Sequence, residues 1–289
     1  MLILGIQDGD LGEFAYNFNF VTSNYYKDVD RKELLQKAFT TIIGELNDPY
    51  TEMLDQSFKD SMENGDISCE NVISNNTIKN NNNTTNNSNN TIKYQKNVTT
   101  NMYYKNDKKI AYIKLQSFSF NSASHFKTNF VKLSKYNFDS LIIDLRDNLG
   151  GENTNLVNIA SIFLDSSKII CKDQFKNSIK TYYSKGEKTA DYPIVILGNI
   201  NSASCSEILI CALREGCGAK LIGTRTYGKN VAQIYKETPN YFYKFTAAYW
   251  LKPSGKTIDK AGIKPDIEVF NTGNDDEQLN TAIEYLANK

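Results

Sequence analysis

The chain has 289 residues, more than the roughly 100 to 200 of a usual single domain, so its length predicts one large domain with appendages or two domains. Its 33 Lys+Arg balance 33 Asp+Glu, and the basic residues are scattered rather than banded, which argues against nucleic acid or an anionic membrane as partner. Five cysteines, Cys69, Cys171, Cys205, Cys211 and Cys217, form no C-x-x-C pair and no Cys/His cluster, so free thiols and no structural metal are expected.

The opening Met1-Leu-Ile-Leu-Gly-Ile is apolar for only a few residues before Asp8 and Asp10, shorter than the about 7 to 15 residues of a signal core. No stretch approaches the roughly 20 apolar residues of a membrane span. The compartment is left open. Residues 1–66 read as mostly helical. Asp30 with Glu33 three positions on resembles a helix start, and Leu34, Leu35, Ala38, Phe39, Ile42, Ile43 and Leu46 recur at helical spacing until Asn47-Asp48-Pro49 breaks the pattern. Over 71–101 the composition shifts: 13 of these residues are Asn, with few apolar side chains to offset the entropy of ordering, which predicts a disordered linker over 67–101.

From 102 to 289 apolar runs alternate with helical patterns. Strands are expected over 109–117, 140–145, 193–198 and 220–224, helices over 122–135, 152–164 and 204–215 with Gly216 as stop, two more strands between 232 and 251, and a helix at the C-terminal end. Such alternation predicts an α/β fold with a largely parallel sheet, whose strand-to-helix loops gather at one edge where sites are built. Three segments fall on such loops: Leu145-Arg-Asp-Asn-Leu-Gly150-Gly151, Asn199-Ile-Asn-Ser-Ala-Ser204-Cys-Ser-Glu207 and Tyr227-Gly-Lys229-Asn-Val-Ala-Gln233.

Ser204 falls at the first turn of a helix, where free N–H groups and the positive helix end favour a developing anion. The same spelling, Ser204 with Glu207, is also a capping box, and Ser202 or Ser206 could cap instead. The single histidine, His125, lies far from these loops and reads as a surface residue. A serine nucleophile then needs another base, and Lys229 serves only if its pKa falls from about 10.4 toward 7, a shift worth roughly 4 kcal/mol. Gln233 could hold the neutral amine. Gly150-Gly151 reads either as a tight turn or as amides aimed at a substrate carbonyl. Cys205, beside Ser204, is a weaker candidate nucleophile.

Taken together the motifs resemble those of the C-terminal processing, or tail-specific, serine peptidases. Leu46-Asn-Asp-Pro-Tyr-Thr, Asp144-Leu-Arg-Asp-Asn-Leu-Gly-Gly151, Ser202-Ala-Ser-Cys-Ser-Glu207, Gly223-Thr-Arg-Thr-Tyr-Gly-Lys229 and Gly262-Ile-Lys-Pro-Asp-Ile267 follow one another in the family's order. The resemblance implies a crotonase/Clp-like αβ spiral protease core with no metal or cofactor, and a serine endopeptidase acting on protein or peptide substrates through an acyl-enzyme. It implies Ser204 as nucleophile, Lys229 as base, Gln233 completing the triad, and an oxyanion hole of backbone amides from Gly150 or Gly151 and Cys205. The family's PDZ domain, a peptide-binding module, is expected to be missing, because its interval holds only the Asn-rich tract. Two other readings stay open: a catalytically silent peptide-binding protein, and an acyl-CoA enzyme of crotonase type.

Overall fold

A computed structural model describes residues 9–54, 97–188, 191–238 and 241–289. The expected linker over 67–96, the interval expected of a PDZ domain, Cys69, and residues 1–8 and 55–66 of the N-terminal region lie outside them. The chain divides into two units, Met1–Leu54 with Tyr235–Phe245, and Asp55–Ile234 with Thr246–Lys289. Among the described residues no helix is long and apolar enough to cross a membrane.

The first unit carries helices α1 (Gly9–Asn24) and α2 (Arg31–Glu45) and strand β1 (Glu52–Leu54). As the sequence predicts, α2 starts at Asp30, whose carboxylate accepts from Lys32 N at 2.8 Å and Glu33 N at 3.0 Å. β1 pairs antiparallel with Phe242 to Lys244, and Lys244 Nζ meets Glu52 Oε1 at 2.8 Å.

In the second unit a hairpin of β2 (Val98–Lys105) and β3 (Lys108–Leu115) leads to α3 (Ser122–Ser134), β4 (Ser140–Asp144), α4 (Asn153–Ser161), β5 (Ile169–Phe175) and β6 (Ile179–Tyr183). Then come β7 (Ile194–Gly198), α5 (Cys205–Cys217), β8 (Lys220–Gly223), β9 (Val231–Glu237) and β10 (Phe242–Leu251), whose residues 235–237 and 242–245 belong to the first unit, then β11 (Ile267–Glu268) and α6 (Glu277–Ala287). A six-stranded sheet runs β11-β8-β7-β4-β3-β2, parallel except for the β2–β3 hairpin. A second sheet is antiparallel: β5 pairs with β6 and with Ala248 to Leu251 of β10.

Period two sorts the strand residues between two cores. Ala111, Ile113, Leu141, Ile143, Ile196 and Leu221 face α3, α4 and α5, whereas Ile110, Ile142, Val195, Leu197 and Ile222 face α6. Both faces of the central strands are covered, which is why β4 and β7 read as unbroken apolar runs. Each such buried Leu, Ile or Val side chain contributes about 1.5–3 kcal/mol.

Three expectations need correction. β2 begins at Val98, inside the segment read as linker, because eight successive residues find partners on β3 from Val98↔Leu115 to Lys105↔Lys108. α5 runs through Gly216 to Cys217: a Cβ at Gly216 would sit 2.5 Å from Leu164 Cδ2, so this glycine serves close packing, and the left-handed cap is Gly218 at φ +73°. The lysine segment joins β8 to β9, strand to strand rather than strand to helix. The β5–β6 hairpin has no counterpart among the predicted elements.

Candidate functional site

β4, β7 and β8 lie side by side in the six-stranded sheet, so the loops at their ends are neighbours. The loop after β7 is pinned at both sides of Ser204. Ser202 Oγ donates to Leu145 O at 2.8 Å, Ala203 N donates to Asn148 O at 3.0 Å, and Ser206 Oγ donates to the same carbonyl at 2.8 Å. Ser202 and Ser206 are fully buried in these structural roles. Ser204 is half-buried and stands at φ 56°, ψ −118°, a conformation that costs an L residue on the order of 1–3 kcal/mol. The three serines that the sequence leaves as alternative caps are thus separated, and only Ser204 combines strain with access.

Glu207, on the first turn of α5, joins this turn to the lysine loop. Its Oε2 accepts from Ser204 N at 3.0 Å and Lys229 N at 2.9 Å; its Oε1 accepts from Gly228 N at 2.7 Å and Thr226 Oγ1 at 2.6 Å. The carboxylate has no exposed surface, and burial pushes its pKa up against the pull of these four donors. Tyr227 N also donates to Ser202 O at 3.1 Å. From the other side Trp250 Nε1 donates to Lys229 O at 2.6 Å and Trp250 N to Asn230 O at 3.1 Å. Lys229 is 5 % exposed.

The Gly-Gly turn closes on the same point. A Cβ on Gly150, at φ +105°, would lie 2.8 Å from Ser204 Cβ and 3.0 Å from Cys205 N, so only glycine allows the approach. Asn148 sets the turn: its Nδ2 donates to Leu115 O at 2.9 Å and its Oδ1 accepts Gly150 N at 2.9 Å. That bond occupies the Gly150 amide, whereas the Gly151 amide has no acceptor among the described residues. The Cys205 thiol is buried and donates to Gly151 O at 3.1 Å, which fixes the turn from the helix side.

Gln233 lies on β9, half-buried, and its amide donates to Thr246 Oγ1 at 3.4 Å. His125 is exposed on α3, as the sequence predicts. Cys171, Cys205, Cys211 and Cys217 stand outside any disulfide, and burial pushes Cys171 well above the ordinary range and Cys211 to about 12. Among the described residues no group of three His, Cys, Asp or Glu could hold a metal.

The sequence reading missed three positioning residues. Glu207 is legible only as half of a capping box, Asn148 only as a turn residue, and Trp250 only as a strand residue; that Trp250 is the single tryptophan of the chain is the one signal that could have drawn attention. Asp144 and Arg146 of the Asp-Leu-Arg motif are structural: Arg146 Nη2 reaches Asp144 Oδ2 at 2.6 Å and Nη1 reaches Asp276 Oδ1 at 2.6 Å, tying β4 to the start of α6.

A model of peptidase family S41 matches residues 109–269, which contain all three loops. A "Probable CtpA-like serine protease" of Staphylococcus haemolyticus is 33% identical over 170 residues, 57% of this chain and 34% of its own. The protein of the same name from Staphylococcus aureus is 30% identical over 210 residues, 66% of this chain and 42% of its own. The chain thus spans between a third and a half of the length of these relatives. Among solved structures, the photosystem II D1 C-terminal processing protease superposes with a TM-score of 0.57 at 26% identity over 64% of this chain and 51% of that one. A lipoprotein from Streptococcus agalactiae shares the fold, with a TM-score of 0.53 at 20% identity over 65% and 69%. The mixed α/β architecture implied by the sequence resemblance is the one these structures carry. By the family match across more than half its length, and by the fold, the chain belongs to peptidase family S41.

Proposed function

We propose that this chain hydrolyses peptide bonds in protein substrates through an acyl-enzyme, with Ser204 as nucleophile and Lys229 as general base. The observation that carries the reading is the Glu207 clamp, which holds the backbones of both residues on one carboxylate oxygen while Ser204 sits strained at the turn into α5. Ser204 Oγ attacks the substrate carbonyl and passes its proton to Lys229 Nζ; the lysine then protonates the departing amine, and water repeats the sequence to release the acyl fragment. A lysine base must be neutral at rest, and removal from water favours the neutral amine. Gln233, on β9 and four residues beyond Lys229, is proposed to orient that amine.

The developing oxyanion is assigned to the amides of Gly151 and Cys205. Of the two glycines that the resemblance offers, Gly150 gives its N–H to Asn148, so it shapes the hole instead of donating to it. The catalytic core on this reading extends from β2 to α6. Peptide cleavage and acylation by a serine-directed fluorophosphonate are the test, run on the wild type, Ser204→Ala, Lys229→Ala and the double variant. Each single variant is expected to lose about a thousandfold or more in turnover, with the double variant no worse, because the pair acts as a unit. Equal cleavage by all four proteins would sink the reading; peptide binding with neither cleavage nor acylation would point to a silent binding protein.

A further inference from the structure

A pocket of about 520 Å³ lies behind the lysine loop, between α5, the segment after β8 and residues 252–264. Its floor is apolar: Cys211, Ile258 and Ile263 are all buried. Arg225, Lys252 and Lys264 also line the pocket, and none of them pairs with a carboxylate among the described residues. Arg225 Nη1 donates to the Gly262 carbonyl at 3.2 Å.

The two acids in the wall are occupied. Glu215 accepts from Ser254 N at 2.8 Å and Ser254 Oγ at 3.1 Å, and Asp259 accepts from Ala261 N at 2.9 Å. Arg214 is paired with Asp266 at 3.0 Å. Arg225, Lys252 and Lys264 thus outnumber Glu215 and Asp259 around an apolar floor, a combination suited to an anion with a hydrophobic part. The two carboxylates nearby moderate the field, which favours a singly charged group over a phosphate dianion.

We propose that this pocket binds a carboxylate bearing an apolar group, either the C-terminal residue of a peptide or a free small carboxylic acid. Occupation is transmitted to the lysine loop by short bonds: Ile263 N donates to Thr226 Oγ1 at 2.7 Å, Thr226 N donates to Ile263 O at 3.2 Å, and Thr226 Oγ1 donates to Glu207 Oε1 at 2.6 Å. Binding itself is independent of the proposed peptidase chemistry; only its effect on turnover rests on that reading.

The test is titration calorimetry on the Ser204→Ala protein with a pentapeptide ending in leucine carboxylate, the same peptide as its C-terminal amide, 4-methylpentanoate and inorganic phosphate. The acid peptide or 4-methylpentanoate is expected to bind, and the tighter of the two identifies the source. The amide and phosphate are expected to bind about tenfold more weakly or not at all, and Arg225→Gln with Lys252→Gln to weaken the acid by a similar factor. Amide binding equal to acid, phosphate binding equal to acid, no binding of either acid at millimolar concentration, or indifference to the charge-removing variants would overturn the proposal. In parallel, fluorophosphonate labelling of wild-type Ser204 is followed with and without the bound acid. Absent labelling with intact acid binding fails the peptidase reading and leaves the pocket standing.

Discussion

Glu207 accepts four hydrogen bonds on two oxygens with no surface in water, and the two circumstances pull its proton affinity in opposite directions. Glu207→Gln is nearly isosteric but turns an NH2 group toward two N–H donors on one side. The expected result is a loss on the order of 3 kcal/mol in urea denaturation and about a hundredfold in peptide turnover, since Ser204 and Lys229 lose their shared anchor. Turnover within twofold of wild type would remove Glu207 from any positioning role. Asp173 is the opposite case. It is 3 % exposed, its Oδ2 accepts the Tyr182 hydroxyl at 2.8 Å, and its Oδ1 has no partner among the described residues. Burial raises its pKa, against the opposing pull of Tyr182 and Lys180. The folded protein then holds this proton more tightly than the unfolded chain does, so the stability it lends is present below the unfolded pKa and is lost as pH rises through the folded one. Asp173→Asn should flatten that loss and gain on the order of 1 kcal/mol at neutral pH, checked by thermal melts from pH 4 to 8; a variant less stable than wild type at pH 7 would contradict it.

Loops rather than helices or strands decide the site, and the Gly-Gly turn after β4 is the least tolerant of them. Gly150→Ala combines a forbidden φ with a contact against Ser204 Cβ, so turnover should fall about a hundredfold with a stability loss of about 1–3 kcal/mol. A variant that is destabilised but turns over normally would show the turn to be structural only. The elements legible from sequence are those whose local pattern and burial agree: β4 and β7 as apolar runs, α2 from its Asp30 cap, α3 from its spacing. β5 and β6 escape because Lys172, Asp173 and Lys180 interrupt the apolar pattern, and β10, the strand that pairs with β5 on its other edge, lies more than seventy residues beyond it. Ser204 is legible as a helix start, whereas its φ and its connection to Lys229 depend on a carboxylate whose local spelling announces only a cap. Spacing carries the motif; the through-space bonds that give it geometry are invisible to spacing.

Within the second unit, a buried charge network joins residues far apart in sequence. Asp144 at the end of β4 is fully buried; Arg146 binds it and, across to the start of α6, Asp276, while the Tyr112 hydroxyl donates to Asp144 Oδ2 at 2.7 Å. Removing the arginine leaves a carboxylate in the core without a counter-charge. Arg146→Leu should therefore cost about 3–5 kcal/mol in urea unfolding, far more than a surface pair. A cost below about 1 kcal/mol would mean that the core relaxes around Asp144. Asp276, held below the usual carboxylate range by Arg146 although burial opposes this, adds stability that is fully present above its unfolded pKa and is lost as pH falls through the folded one. The Glu207 clamp works on a different principle from this bolt. Because one carboxylate carries the backbones of Ser204 and Lys229 together, a rigid shift of the end of α5 is a common-mode displacement. It moves both anchor points by the same amount and, to first order, cancels from their separation.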